Sequence, residues 1–309
     1  MDDFDIIVVG AGPAGLTAGL YAARSGMRTA IYEQAYPGGL ASVTASIDNY
    51  PGFPEGIPGM ELGVKMYEQA KRFGAILINS RVERLWRDGG TVLAQSGGHT
   101  TTPKAAVIAT GSTPRKLGAQ GEAALIGKGV SYCATCDGPL YRGKTVAVVG
   151  GGDSALQEAL FLTRFASKVI LIHRRKAFRA ALVLQNDVRA NAKISLALGK
   201  VLRSIKGKDM VEAIEIEDRQ TAETEVIGVE GVFIYVGYDP NVAMLGPEFR
   251  RGEAGFLLAD TKLETSVPGV FAAGDVREKA LRQVATAVGD GALAAMSAYA
   301  YIEGLNKLA

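Results

Sequence analysis

Cysteine and histidine, the residues that most often supply nucleophiles and metal ligands, are almost missing from this chain of 309 residues: there are two of each, Cys133, Cys136, His99 and His173. Two cysteines separated by two residues close almost no loop and cannot brace a fold. A tetrahedral zinc needs four ligands, and the histidines lie in segments unrelated to the cysteines, so no metal is expected. No apolar run approaches the roughly 18 residues that span a bilayer. Acidic Asp2 and Asp3 stand where a secretion signal would be positive, so a cytoplasmic protein without a membrane partner is expected. Net charge is only +2, which provides no global field for nucleic acid or acidic lipid.

What is abundant is glycine, 39 residues against 11 prolines, in a chain long enough for two domains. The same plan occurs twice. Residues 5–15 read DIIVVGAGPAG and residues 145–155 read TVAVVGGGDSA, 140 positions apart. Each is a short apolar strand, a glycine turn and a helical pattern, followed by a second strand, RTAIYE or KVILIH. Gly10 to Glu33 and Gly150 to His173 are both 23 positions. That shared register predicts an α/β fold of two Rossmann-like, three-layer dinucleotide-binding domains. After each unit come short strands with turn signals, including a hairpin at Asp88-Gly89-Gly90. Past Pro240 a strand pair and one long helical run have no counterpart near residue 110, so they complete the first domain. The expected organisation is 1–113 plus 243–309 for the first domain, with 114–242 inserted into it as the second.

Gly10, Gly12 and Gly15 follow a strand, open a helix and precede an acid at the end of the next strand. Gly10 makes the turn, Gly12 lets the backbone approach a pyrophosphate, and Gly15 lets helix and strand pack closely. The helix N-terminus then faces the anion, and Glu33 accepts hydrogen bonds from a ribose diol. The second loop has Gly150, Gly152 and Ala155. At the register of Glu33 it has His173, followed by Arg174, Arg175 and Arg179. Guanidinium groups bind a 2′-phosphate bidentately where a carboxylate would repel it, so this site is expected to prefer NADPH to NADH. A flavin in the first site and a nicotinamide in the second make hydride transfer the expected chemistry.

Between the units lies SYCATCDGPLY. Cys133 and Cys136 have the spacing of a small-ring disulfide that is readily reduced and re-formed. Two buried thiols, or half a zinc site shared between subunits, are the other readings of the same spacing. Asp137 is the adjacent proton-transfer candidate, if burial raises its pKa.

Taken in order, GAGPAG, NYPGF, ATGSTPR, YCATCDG, VVGGGDSALQEA, HRRKAFRA, GYDPN and GVFAAGDV followed by RQV span essentially the whole chain. On these segments the chain resembles the low-molecular-weight, bacterial-type thioredoxin reductases, which are flavin-dependent pyridine nucleotide-disulfide oxidoreductases. The resemblance implies FAD in the first domain, NADPH in the second, a homodimer, and thioredoxin or a thioredoxin-like disulfide protein as partner. For FAD it implies Gly10, Gly12, Pro13, Ala14, Gly15 and Glu33, then Gly38, Gly39, Leu40, Asn49 and Val82. Thr110 and Gly111 follow, and the set closes with Gly274, Asp275, Arg282, Gln283 and Val284. For NADPH it implies Gly150, Gly152, Asp153, Ser154 and Ala155 with His173, Arg174, Arg175 and Arg179. Cys136 would face the flavin, Cys133 would attack thioredoxin, and Asp137 would serve as acid. It further implies a second domain that turns on the connections Gly111–Pro114 and Tyr238–Asn241. One departure is visible: Leu40 stands where the family usually has glutamine, which removes a polar contact near the flavin.

Other readings are separable by residues. A ferredoxin- or flavodoxin-type NADPH reductase would lack the dithiol. A dithiol oxidase would keep it but use oxygen, whereas the arginine cluster favours a reductase. A peroxidase-reducing relative would carry a further cysteine pair in an N-terminal extension. A non-catalytic nucleotide sensor would have no need of Cys133 and Cys136.

Overall fold

The computed structural model describes residues 4–44, 46–47 and 49–307. Asp2 and Asp3, read above as incompatible with a secretion signal, lie outside the described residues. The chain divides into two compact units, Met1–Thr113 with Asp239–Ala309, and Pro114–Tyr238.

In the first unit five parallel strands form one sheet in the order Val270–Ala272, Ala105–Ile108, Ile6–Val9, Thr29–Glu33, Ile76–Asn79. Ile6–Val9 and Ala105–Ile108 are buried along their whole length, as expected of parallel strands covered on both faces. Helices Pro13–Arg24 and Val284–Asn306 supply the packing on one face, where Leu16, Ala18, Ala294 and Ala298 meet Ile6, Val8, Val107 and Phe271. Ile7, Val9 and Ile108 point the other way, onto Val82, Leu85, Val92 and Ala94 of a three-stranded antiparallel sheet. That sheet contains the expected hairpin. Asp88 pairs with Thr91, and Gly89 and Gly90 take positive φ of +52° and +88°, the two-residue turn that suits the strand twist.

The second unit repeats the arrangement. Its parallel sheet runs Ile194–Leu198, Lys168–His173, Thr145–Gly150, Gly231–Tyr235, Val130–Ser131. Helix Asp153–Leu162 packs on one face and a second three-stranded antiparallel sheet, Lys200–Lys206, Ala213–Asp218 and Thr224–Gly228, on the other. The fifth strand differs in origin: Val270–Ala272 arrives after the rest of its sheet, whereas Val130–Ser131 precedes its own.

The second connection leaves the inserted unit earlier than the sequence suggested, at 238/239 rather than 242/243. Asn241 belongs to the first unit because its side chain donates to Thr110 O at 2.9 Å and its carbonyl accepts from Thr110 Oγ1 at 2.7 Å. Val242 and Leu245 are buried in that unit's core as well. The strand pair expected after residue 254 reduces to one strand, Val270–Ala272, and the stretch before it makes only isolated bridges such as Leu257 to Arg277. Among the described residues, no helix is long and apolar enough to cross a membrane.

The turn into the first helix leaves no room for side chains. Gly10 has φ of +105°, and a Cβ on Gly15 would overlap the Gly10 carbonyl oxygen. Gly12 is different: a Cβ there would meet nothing nearer than Gly39 Cα at 3.9 Å. Gly15→Ala is therefore expected to cost about 1–3 kcal/mol by overpacking, while Gly12→Ala stays within about 0.5 kcal/mol of the parent. Urea midpoints of the two variants check the contrast.

Candidate functional site

In both units the glycine loops singled out from sequence lie at the carboxyl ends of the parallel strands, where the strand order reverses and α/β sheets bind ligands. In the first unit Gly12 caps helix Pro13–Arg24, with Pro13 in its first turn and Ala14 and Gly15 buried behind it. Glu33, at the end of the neighbouring strand, accepts the Ala11 N–H at 2.8 Å and the Ala35 N–H at 3.0 Å. One carboxylate thus ties the glycine turn to the segment after the second strand. Each of its oxygens retains a lone pair for a further donor such as a ribose hydroxyl.

Gly38 donates its N–H to Ala11 O at 2.8 Å, and a Cβ on Gly39 would lie 3.0 Å from Gly12 Cα. The two glycine segments therefore touch, and Gly39, with φ of +56°, is the position where a side chain would crowd the contact. Leu40 follows in the short helical turn Gly39–Val43, with its side chain half exposed. Across the unit, Asn49 Nδ2 donates to Gln283 Oε1 at 3.0 Å, which joins two candidates 234 positions apart. Gln283 caps the helix that Val284 begins, and Val284 packs on Ile47, Ile57 and Leu62. Arg282 stacks over Phe256, 4.1 Å from the ring centroid. Gly274 meets Ala14 at the helix start, and Thr110 and Gly111 are held by Asn241. Val82 is placed apart from these. Its side chain is buried in the core on the sheet's other face, leaving only its backbone for a ligand.

Asp275 carries a buried Oδ1 without a hydrogen-bond partner, and Lys279 Nζ lies 3.9 Å from it. Burial raises its pKa, and Lys279 and Arg282 offset that only in part. An orphaned carboxyl oxygen beside an open glycine cradle fits a hydroxyl-bearing ligand such as the sugar-like portion of a dinucleotide. The turn that holds it rests on a residue the sequence did not expose. Asp290, inside the segment read only as one long helical run, accepts Gly274 N–H at 3.0 Å, Lys279 Nζ at 2.9 Å and two bonds from Arg277, each 2.8 Å.

In the second unit Gly152 caps helix Asp153–Leu162 and a Cβ on it would meet open space. Ala155 is buried against Gly150, and Ser154 is exposed at the helix start. The Asp153 carboxylate accepts Ala181 N–H at 2.8 Å, and Arg179 N–H donates to Gly151 O at 2.8 Å. These two bonds dock the basic segment onto the glycine loop. His173 does not join the cations as its register suggested. Its ring is buried, stacked on Phe178 with centroids 5.6 Å apart, and packed where a Gly151 Cβ would be. Burial holds its pKa below the usual value. A hydrogen bond with Ala177 opposes that shift, and the charges of Arg179, Arg175 and Arg174 reinforce it. The ring is neutral near pH 7, so the positive charge comes from the arginines.

A cavity of about 440 Å³ is lined by Arg174, Arg175, Val201 and Arg219, with no carboxylate among its lining residues. A larger cavity of about 780 Å³ adjoins it, bounded by Gly150, Gly151, His173, Arg179 and Tyr235. The buried Nε2 of His173 has no partner on that wall, which leaves a polar group for a ligand. Arg219 was missed from sequence. It lies 45 positions from Arg174, donates to its carbonyl at 3.3 Å, and arrives on a turn of the antiparallel sheet.

Cys133 and Cys136 are disulfide-bonded, with Cα atoms 5.3 Å apart. Cys136 N–H points at Cys133 Sγ (3.2 Å) and Cys133 N–H at Ser131 Oγ (3.0 Å). Asp137 is half-buried in the turn that follows and donates its N–H to Cys133 O at 3.1 Å. Burial, and then the charge of Asp137, push the Tyr141 phenol up to about 12.

Two dinucleotide-type cradles and a cysteine pair able to cycle between disulfide and dithiol define an oxidoreductase. The family model for pyridine nucleotide-disulphide oxidoreductase matches residues 4–291, and the chain belongs to that family. It is 41% identical over 309 residues to thioredoxin reductase of Bacillus subtilis (strain 168), covering 98% of this chain and 96% of that one. It is 42% identical to thioredoxin reductase of Peptoclostridium litorale, covering 98% of each. The crystal structure of thioredoxin reductase from Streptococcus pyogenes MGAS5005 superposes with a TM-score of 0.91 at 42% identity, over 97% of this chain and 98% of that one.

Asp290 gives the first unit an acid-sensitive joint. Burial alone would raise its pKa, but the hydrogen bonds from Arg277 and Lys279 outweigh burial and hold it below the usual carboxylate value. Its contribution is complete above the unfolded value of about 3.9 and is lost as pH falls through the lower folded value. Asp290→Asn, which leaves two cations uncompensated, is expected to cost about 3–5 kcal/mol near neutrality. The gap to the parent should close as pH drops below that range, in urea titrations at stepped pH.

Proposed function

We propose that this chain is an NADPH-dependent thioredoxin-disulfide reductase, a cytoplasmic homodimer with FAD held around Gly10 and NADPH around Gly150. The observation that carries the reading is a Cys133–Cys136 disulfide in the same compact unit as an arginine-lined nucleotide cavity. The residues fit both groups: Gly12 and the orphaned Asp275 Oδ1 suit FAD, and Gly152 with the arginines suits a nucleotide bearing an extra phosphate. When bound, the flavin and nicotinamide supply hydride and electron-pair chemistry that no side chain offers.

The chain's own residues do the rest. Glycine-loop N–H groups receive the pyrophosphates, Glu33 orients a ribose, and Arg174, Arg175, Arg179 and Arg219 neutralise the 2′-phosphate. In the exchange, Cys133 thiolate attacks one sulfur of thioredoxin's disulfide and the other leaves as a thiolate, protonated by Asp137 acting as acid. The Cys136 thiol passes its proton to the Asp137 carboxylate and attacks Cys133 Sγ in the mixed disulfide, and the second thioredoxin sulfur leaves as a thiolate that takes up that proton. The Cys133–Cys136 bond is restored and thioredoxin departs with two thiols.

The purified protein is expected to be yellow and to oxidise NADPH with thioredoxin as acceptor. Oxidation with ferredoxin or oxygen alone in thioredoxin's place would refute the reading. Arg219→Ala is expected to weaken NADPH binding about tenfold, the scale of one charge-assisted contact, and to leave NADH unchanged. Equal losses for both nucleotides, by titration, would remove Arg219 from the phosphate site.

A further inference from the structure

Tyr235 touches both halves of the second unit's chemistry through different atoms. Its backbone ends the strand that pairs with Thr145–Gly150, opposite Gly150 itself, and so helps form the nucleotide loop. Its hydroxyl accepts the N–H of Ala134, the residue that follows Cys133. Ala134 is fully buried, so that N–H has no access to water. Without the phenol it would be an orphaned donor at the first turn of the dithiol segment.

The same turn aims Cys136 N–H at Cys133 Sγ, at 3.2 Å. A backbone N–H directed at that sulfur matters most in the reduced protein, where the sulfur carries negative charge as the attacking thiolate. We propose that the Tyr235 hydroxyl is a positioning group for the dithiol: by holding Ala134 it keeps the turn set so that Cys136 N–H stabilises the Cys133 thiolate.

The phenol is suited to a fixed, neutral role. Burial first, and then the negative charge of Glu158 on helix Asp153–Leu162, hold its pKa well above the usual value. The Ala134 bond opposes this shift, and Tyr238 and Asp137 add to it. Around Cys133 itself Ser131 Oγ and Thr135 Oγ1 are uncharged at working pH, and the titratable group on the same turn is Asp137, whose N–H donates to Cys133 O at 3.1 Å. The inference rests on the functional reading above only in taking Cys133 as the attacking thiol.

Tyr235→Phe removes one oxygen and leaves ring and backbone in place. In the reduced holoprotein, alkylation of Cys133 by iodoacetamide would be followed across pH, with mass spectrometry assigning the modified cysteine. The pH midpoint is expected to rise, so that at a fixed pH below it the thiolate fraction falls about 3- to 10-fold, the scale of one net hydrogen bond. An unmoved midpoint would overturn the proposal.

Hydrogen exchange at the Ala134 amide supplies the second arm: it is expected to speed up in Tyr235→Phe, and an unchanged rate would overturn the route through Ala134. Alkylation needs no thioredoxin, so failure of the parent to reduce thioredoxin would strike the functional reading alone, and a fixed midpoint this inference alone.

Discussion

A buried parallel strand can pass into a helix within a few residues only if the turn between them carries almost no side chains. Much of this molecule follows from meeting that condition twice. At Gly10 the backbone takes a conformation that L side chains avoid, and at Gly15 the helix lies against the carbonyl before it. The result is a helix end with bare N–H groups, set where the order of strands reverses. The second unit reaches the same end with alanine at the last position, because Gly150 rather than the helix gives way around its methyl group.

On this shared frame the two units place opposite charges. In the first, Glu33 spends part of each carboxylate oxygen on backbone N–H groups, so the acid that would meet a ribose also fixes the loop beneath it. In the second, the chain after the strand folds back, and Arg179 and Ala181 bond to the glycine loop and to Asp153. That return path carries the arginines to the cavity rim while His173 fills the space under the loop. Charge is likewise balanced at Asp290, where one carboxylate serves a backbone N–H and two cations and so couples the long helix to the Gly274 turn.

The repeat, the glycine loops, the Glu33 register and the cysteine spacing were all legible in the sequence, because each depends on short-range geometry. What escaped depends on packing between distant segments. Arg219 reaches the arginine cluster only because the antiparallel sheet folds onto the parallel one. His173 occupies the register of an acid, yet the empty side of Gly151 draws its ring inward. Asp290 sits in a run whose pattern says only that it is helical. The second unit ends four positions earlier than 242/243, because the Asn241 amide bonds Thr110, a contact between segments distant in sequence.

The inserted unit enters and leaves side by side: Arg115 N–H donates to Gly237 O at 2.9 Å, just inside both ends of Pro114–Tyr238. Its edge strand, Val130–Ser131, comes from within that span, and so does everything that lines the arginine-rim cavity and the cysteine pair. The segment therefore has the makings of a portable cassette. A splice at two adjacent chain crossings would carry the arginine-lined cavity and the cysteine pair together into a related host, with no strand of the recipient's own sheet to replace.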